Sequence, residues 1–354
     1  MQTAQATNGR PRRRRIFIWL KRLGIGSVVL LILVIVTGLA VQAYHTANAI
    51  RRYPPPGKLV DIGGFRLHLQ DAGSGTPTVI LEDGGLGESL GWVPIQPEVA
   101  KFTRVVSYDR AGCGWSDPSP ADRTGKQVAK ELNKLLEQAE IPGPYVLVGA
   151  SDGGFVIRLF THEHPDKVAG MVLVDASHEA AYAQMPESQK KVDADLNRLV
   201  KVVRVLAPLG IGRWVIPSKG LPEELEAANR ALALRTPNVV TLCDAWLCWD
   251  TWISQMEGCT LPPDIPLAVL SASKWETGLG EIPPEEANVA LSVWTECQAE
   301  IASRSSNSFH LVVPDSSHGL SDDQPAVVID AIRRVVESVR NKTKLVAPGE
   351  ELSR

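Results

Sequence analysis

The sequence contains no Cys/His spacing of the kind a zinc site requires and no nucleotide-binding motif, so neither metal-assisted nor nucleotide-dependent chemistry is expected, and no cofactor. It shows no internal repeat and no long low-complexity tract, which excludes solenoids and disordered scaffolds. It has no basic excess: 37 Lys and Arg stand against 40 Asp and Glu, the net charge is -3, and the pI is near 6.2. With the body of the chain so balanced, nucleic acid is not an expected partner. Cysteine is sparse, at five residues. Cys243, Cys248, Cys259 and Cys297 can make two bridges in an oxidising compartment, or stay as buried thiols, and Cys113 is left over as a packed small residue.

Charge and hydropathy are present where they are uneven. Arg10, Arg12 to Arg15, Lys21 and Arg22 precede an uncharged run from Leu23 to Tyr44, rich in Val, Leu and Ile. A helix of that length spans roughly 30 Å, the hydrocarbon thickness of a bilayer. The run exceeds the ~7–15 residues of a secretory signal core, so an uncleaved single-pass anchor is expected. Its positive flank puts the N-terminus in the cytoplasm and the body outside. The alternative is secretion after cleavage near Ala47-Asn48-Ala49. Residues 1–22 are then a basic cytoplasmic segment, 23–44 the transmembrane anchor, and 45–57, with Pro54-Pro55-Pro56, a stiff linker.

Beyond it the chain alternates. Strand-like runs occur at Phe65 to Gln70, Thr78 to Leu81, Arg104 to Tyr108, Tyr145 to Val148, Met171 to Val174, Leu267 to Leu270 and Phe309 to Val313. Helical spacing links Val128, Leu132, Leu135 and Leu136, and again Val328 through Val339. The pattern predicts an α/β fold, a doubly wound and mostly parallel sheet. Between Asp175 and Pro266 no strand is convincing. Glu223 to Leu234 and Trp214, Trp246, Trp249 and Trp252 suggest instead helices with an aromatic inner face, forming a cap over the sheet's carboxyl edge. From Asn341 the periodicity stops, and residues 341–354 read as a polar tail.

The strongest local signal is Tyr145-Val-Leu-Val-Gly149-Ala-Ser151-Asp-Gly153-Gly154. A strand entering a helix through Gly-x-Ser-x-Gly makes a sharp turn that lifts the serine above the sheet, at the positive end of the helix. Ser151 is the candidate nucleophile, and the N–H of Asp152 a candidate oxyanion donor. A base is expected after the last strand, where Pro314-Asp-Ser-Ser-His318-Gly319 offers His318. His310, inside the strand, reads as a satisfied core or edge residue.

Together with Asp83-Gly84-Gly85-Leu86-Gly87 and Asp109-Arg110-Ala-Gly112-Cys-Gly114-Trp-Ser116, these motifs resemble the α/β-hydrolase fold family over about residues 58–339. The resemblance implies an α/β-hydrolase core over 58–176 and 264–340, with a helical cap inserted after the sixth strand over 177–263. It implies a second oxyanion N–H from Gly85 or Leu86. It also implies that Asp109 and Arg110 brace the site, here read as an ion pair. Haloalkane dehalogenases and epoxide hydrolases share this scaffold but need a carboxylate nucleophile, which Ser151 is not.

The third member is open. No Asp lies between Pro266 and Pro314, and the acid falls to Asp175, at the end of Leu173-Val-Asp175, or to Glu276. Asp175 is preferred. The expected activity is hydrolysis of a carboxylic ester of a small, partly apolar acyl substrate through an acyl-enzyme. Peptidase, thioesterase, acyltransferase or cofactor-free lyase chemistry on the same residues is the alternative, or a pocket that binds without turnover.

Overall fold

A computed structural model describes residues 10–85, 87–212, 223–276 and 282–349. The strands are β1 (Lys58–Asp61), β2 (Arg66–Ala72), β3 (Thr78–Glu82), β4 (Val105–Tyr108), β5 (Tyr145–Ala150), β6 (Val168–Val174), β7 (Leu267–Ala272) and β8 (Ser308–Val313). They form one sheet in the order β1-β2-β4-β3-β5-β6-β7-β8. β1, β2 and β4 pair antiparallel, and from β4 through β8 every pairing is parallel. β1 is absent from the reading of the sequence. It is an edge strand of four residues with no fully buried position, so it carries no apolar run.

The central strands are apolar on both faces because both faces are covered. Tyr145 and Leu147 of β5 face one core, with Leu132 and Leu135 of α2 (Gly125–Gln138) and Phe155 of α3 (Gly153–Glu163). Val146 and Val148 face a second core, with Val328, Ile332 and Val335 of a C-terminal helix (Pro325–Asn341). The expected tail is partly ordered against that core, since Leu345 and Ala347 pack there and the Leu345 N–H donates to Asn307 Oδ1 at 2.8 Å.

Between β6 and β7 the described chain is helical: α4 (Glu187–Leu206), α5 (Glu223–Ala233), α6 (Thr236–Leu247) and α7 (Trp249–Gln255). Trp246, Trp249 and Trp252 stack in succession, with centroids 6.3 and 6.4 Å apart, while Trp214 lies outside the described residues. The cysteines are free thiols. Cys243 packs with Val203 and Val239, whereas Cys297 packs with Met185 and Ala290, so the two occupy separate clusters.

The N-terminal helix α1 runs over Arg10–Arg52 without a break. Its best 18-residue window has a mean hydropathy of 2.7 and none of it is buried, so the helix is long and apolar enough to cross a membrane. The linker expected over 45–57 is therefore shorter. Helix continues to Arg52, because its last turns have something to pack on: Ala49 is buried and Ile50 packs against Leu90, Trp115 and Leu232. Trp115 Nε1–H also donates to Tyr53 O at 2.7 Å.

Candidate active site

Ser151 sits between β5 and α3 with a φ of +50°. A non-glycine residue pays about 1–3 kcal/mol to stay in that region, which the surroundings must supply. They do so by close approach. A Cβ at Gly149 would lie 2.8 Å from Gly153 O, and one at Gly153 2.8 Å from Asp83 O, so the flanking glycines are required for the strand, helix and Asp83 loop to meet. The Ser151 N–H donates to Val174 O at 3.1 Å, and the Ser177 N–H donates to Ser151 O at 2.8 Å, tying the turn to the end of β6.

His318, in the loop after β8, reaches Ser151 Oγ with Nε2 at 2.9 Å and Asp175 Oδ2 with Nδ1 at 2.6 Å. The three side chains thus form one hydrogen-bonded chain, with Asp175 following the end of β6. Glu276 is exposed and acts on the imidazole only at longer range. Asp175 is 2% exposed and its other oxygen is held twice, by the Ala272 N–H and by Trp294 Nε1–H, each at 2.8 Å. Burial opposes a charge on His318, but the hydrogen bond to Asp175 and that carboxylate's charge outweigh it, so its pKa is raised above 6.5. Trp294 comes from the helix Pro284–Ser303 and its ring meets the His318 ring edge-on, with centroids 5.9 Å apart. Nothing in the sequence marks it, because a tryptophan in an amphipathic helix reads as core.

Beneath the turn lies a buried polar cluster. Arg110 Nε donates to Glu82 Oε1 at 2.6 Å, and its Nη2 donates to Asp83 O at 2.6 Å and to Asp152 Oδ1 at 3.0 Å. Tyr108 OH donates to Glu82 as well. Burial pushes the Glu82 carboxyl up, against the pull of Arg110. The expected pairing of Asp109 with Arg110 is not formed. Consecutive side chains diverge here: Asp109 turns to His68 Nδ1 at 2.8 Å and to the N–H groups of Ser89 and Trp115, while Arg110 clamps the Asp83 loop to the start of α3. Asp152 is the N-cap residue of that helix, so its N–H lies at the helix's positive end. Gly85 lies in the turn closed by the Gly87 N–H and Gly84 O at 2.7 Å, and Leu86 lies outside the described residues.

Asp175 and His318 line a cavity of about 380 Å³, which is also walled by Trp246, Trp249, Trp275 and Trp294. Its polar lining includes Gln189, Asp193 and Asn197 of α4. His178 borders it, bonded through Nε2 to Glu300 at 2.8 Å, and His310 is occupied by Ser271 Oγ at 2.7 Å. Among the described residues, no three His, Cys, Asp or Glu side chains are grouped to hold a metal ion.

The family model for the alpha/beta hydrolase fold matches residues 77–213. An esterase from Thermogutta terrifontis superposes with a TM-score of 0.55 at 23% identity, covering 78% of this chain and 94% of its own. The chain has the α/β-hydrolase fold. A probable transporter of Hormonema carpetanum, efuK, is similar to this hydrolase-fold chain at 36% identity over 136 residues, 36% of this chain and 20% of the relative. Uncharacterized protein YqjL of Bacillus subtilis is 34% identical over 137 residues, 38% of this chain and 54% of its own length. The hydrolase-fold chain thus matches between about a fifth and about half of these two relatives' length.

Proposed function

We propose that this chain is a membrane-anchored serine hydrolase that cleaves a carboxylic ester of a small, partly apolar substrate through an acyl-enzyme. The observation that carries the reading is the unbroken chain from Ser151 Oγ through both ring nitrogens of His318 to the buried Asp175. A serine hydroxyl is a weak nucleophile until a base removes its proton. His318 Nε2 accepts that proton as Ser151 Oγ attacks the carbonyl carbon, and Asp175 holds Nδ1–H and stabilises the imidazolium. The N–H of Asp152 and one from the Gly84–Gly87 turn, at Gly85 or Leu86, stabilise the oxyanion. His318 then protonates the departing alcohol, and water, activated by the same imidazole, releases the acid. The tryptophan wall of the cavity favours an apolar acyl or alcohol group. In this reading α1 crosses the bilayer with its arginine-rich end in the cytoplasm and the hydrolase body outside.

The test is labelling with a fluorophosphonate. The purified full-length protein takes up one label at Ser151, and Ser151→Ala takes up none while keeping its fold by circular dichroism. A folded wild-type protein that stays unlabelled refutes the reading.

A further inference from the structure

The helix expected to cross the membrane touches the helical segment that roofs the cavity, and it does so within its own apolar run. A Cβ added at Gly38 would lie 3.4 Å from Leu209 O and 3.6 Å from Leu209 Cδ2. One turn further on, Gln42 is 2% exposed and its Nε2 donates to Leu234 O at 2.8 Å and to Thr236 Oγ1 at 3.2 Å. Gly38 precedes Tyr44, the aromatic residue at the outer end of the run, by six residues, which is roughly 9 Å along a helix. That is the depth, about 5–10 Å, at which amphipathic helices lie in the headgroup and acyl boundary. If Tyr44 marks the outer interface, as aromatic residues at the ends of spanning helices do, the Ala207–Leu209 turn lies within the bilayer's outer margin.

The helix leading into that turn, α4, is built for such a place. Leu199, Val202 and Val205 are 39%, 53% and 70% exposed at three-residue spacing, and they form an apolar stripe on its outer side. Arg198, Lys201 and Arg204 run beside it, and no acidic residue occurs from Leu196 to Leu209. The other side of the same helix, through Gln189, Asp193 and Asn197, lines the cavity. We propose that the outer stripe of α4 inserts into the lipid surface next to α1, so that the cavity is roofed by a membrane-seated helix and takes its ester from among molecules dissolved in the bilayer. The substrate half of this proposal rests on the esterase reading above, whereas the seating of α4 does not.

The experiment uses the full-length protein in phosphatidylcholine and phosphatidylglycerol vesicles. A nitroxide is placed at Val205→Cys and, as a water reference at the opposite edge of the sheet, at Asp166→Cys, with the labelled unsubstituted protein giving the background from native thiols. The expected result is that the label at 205 collides with oxygen rather than with a nickel chelate, by a ratio roughly 5-fold above that at 166. Equal nickel accessibility at the two positions overturns the seating of α4. Separately, V202E/V205E is expected to lower hydrolysis of a long-chain ester dissolved in the vesicles roughly 5-fold or more, with hydrolysis of a water-soluble acetate kept within about 2-fold. Equal effects on both esters overturn the substrate claim. If the wild type cleaves neither ester, the esterase reading fails, and the nitroxide result still decides where α4 lies.

Discussion

Replacing Asp175 with Asn tests the site at its most constrained atom. Asp175 Oδ1 accepts two N–H groups, from Ala272 and Trp294, and Oδ2 accepts Nδ1–H of His318. An asparagine must satisfy the same two donors, so its oxygen takes the Oδ1 position and its NH₂ faces the imidazole. Nδ1 then becomes an acceptor, the ring proton moves to Nε2, and His318 can no longer take the proton of Ser151. Turning the amide round restores the tautomer but leaves both donors unpaired, at about 1–3 kcal/mol each for a buried group. The total of about 2–6 kcal/mol corresponds to a loss of roughly 30-fold to 10⁴-fold in rate. The assay is steady-state hydrolysis of a short-chain nitrophenyl ester by wild type, Asp175→Asn and Glu276→Gln. Asp175→Asn is expected to lose kcat within that range, and Glu276→Gln to stay within about 3-fold, as befits an exposed charge that acts through solvent. A near-normal Asp175→Asn, or the reverse order of the two, refutes the argument.

The pH dependence follows from the raised pKa of His318. A base must be neutral to act, so kcat/KM should rise with pH through an apparent pKa above 6.5, and a limb below 6.5 would contradict the coupling to Asp175. Arg110→Met leaves Glu82, buried completely, with only Tyr108 as a polar side-chain partner. Breaking a buried pair in this way costs about 3–5 kcal/mol, readable as a lower urea midpoint, together with weaker hydrolysis as the clamp between the Asp83 loop and α3 is lost. Burial pushes the Cys243 and Cys297 thiols up to about 11, so iodoacetamide at pH 8 should leave both unmodified in the folded protein and alkylate them in urea. Rapid native alkylation of either would contradict their burial.

The parts of the molecule governed by local rules were legible beforehand. Seven strand-like runs lie within a few residues of strands in the sheet, several of them continuous because a strand covered on both faces is apolar throughout, and Gly-x-Ser-x-Gly falls, as expected, where a strand turns into a helix. His318 and Asp175, picked out by their places after strands, are brought within hydrogen-bond distance of each other, and His318 within that of Ser151. What stayed hidden depends on contacts between distant segments. Trp294 looks like any core residue of an amphipathic helix until its indole N–H is seen on Asp175, 119 positions away. Arg110 was assigned to its neighbour Asp109, since adjacency in sequence suggests a pair that the divergence of successive side chains prevents. The extension of α1 to Arg52 likewise depends on Leu232 and Trp115, which no local pattern brings near. The roofing helix α4 is harder to read, because its cavity side carries the polar Gln189, Asp193 and Asn197 while its apolar Leu199, Val202 and Val205 are exposed, the reverse of the usual core-facing pattern.

The stitching of the serine turn to the end of β6 has a further effect. Two backbone hydrogen bonds tie Ser151 to Val174 and Ser177, the residues on either side of Asp175-Ala176, so the spacing of Ser151 and Asp175 is set at the carboxyl ends of two adjacent strands. The imidazole alone arrives from a separate surface loop, and nearly half of its side chain is open to the cavity and solvent. That loop is held in turn by the Ser273 and Lys274 N–H groups, which donate to Ser316 O, and by Asp323, which accepts from Ser317, so in the proposed mechanism the position of the base depends on the hold that the β7 end keeps on Ser316.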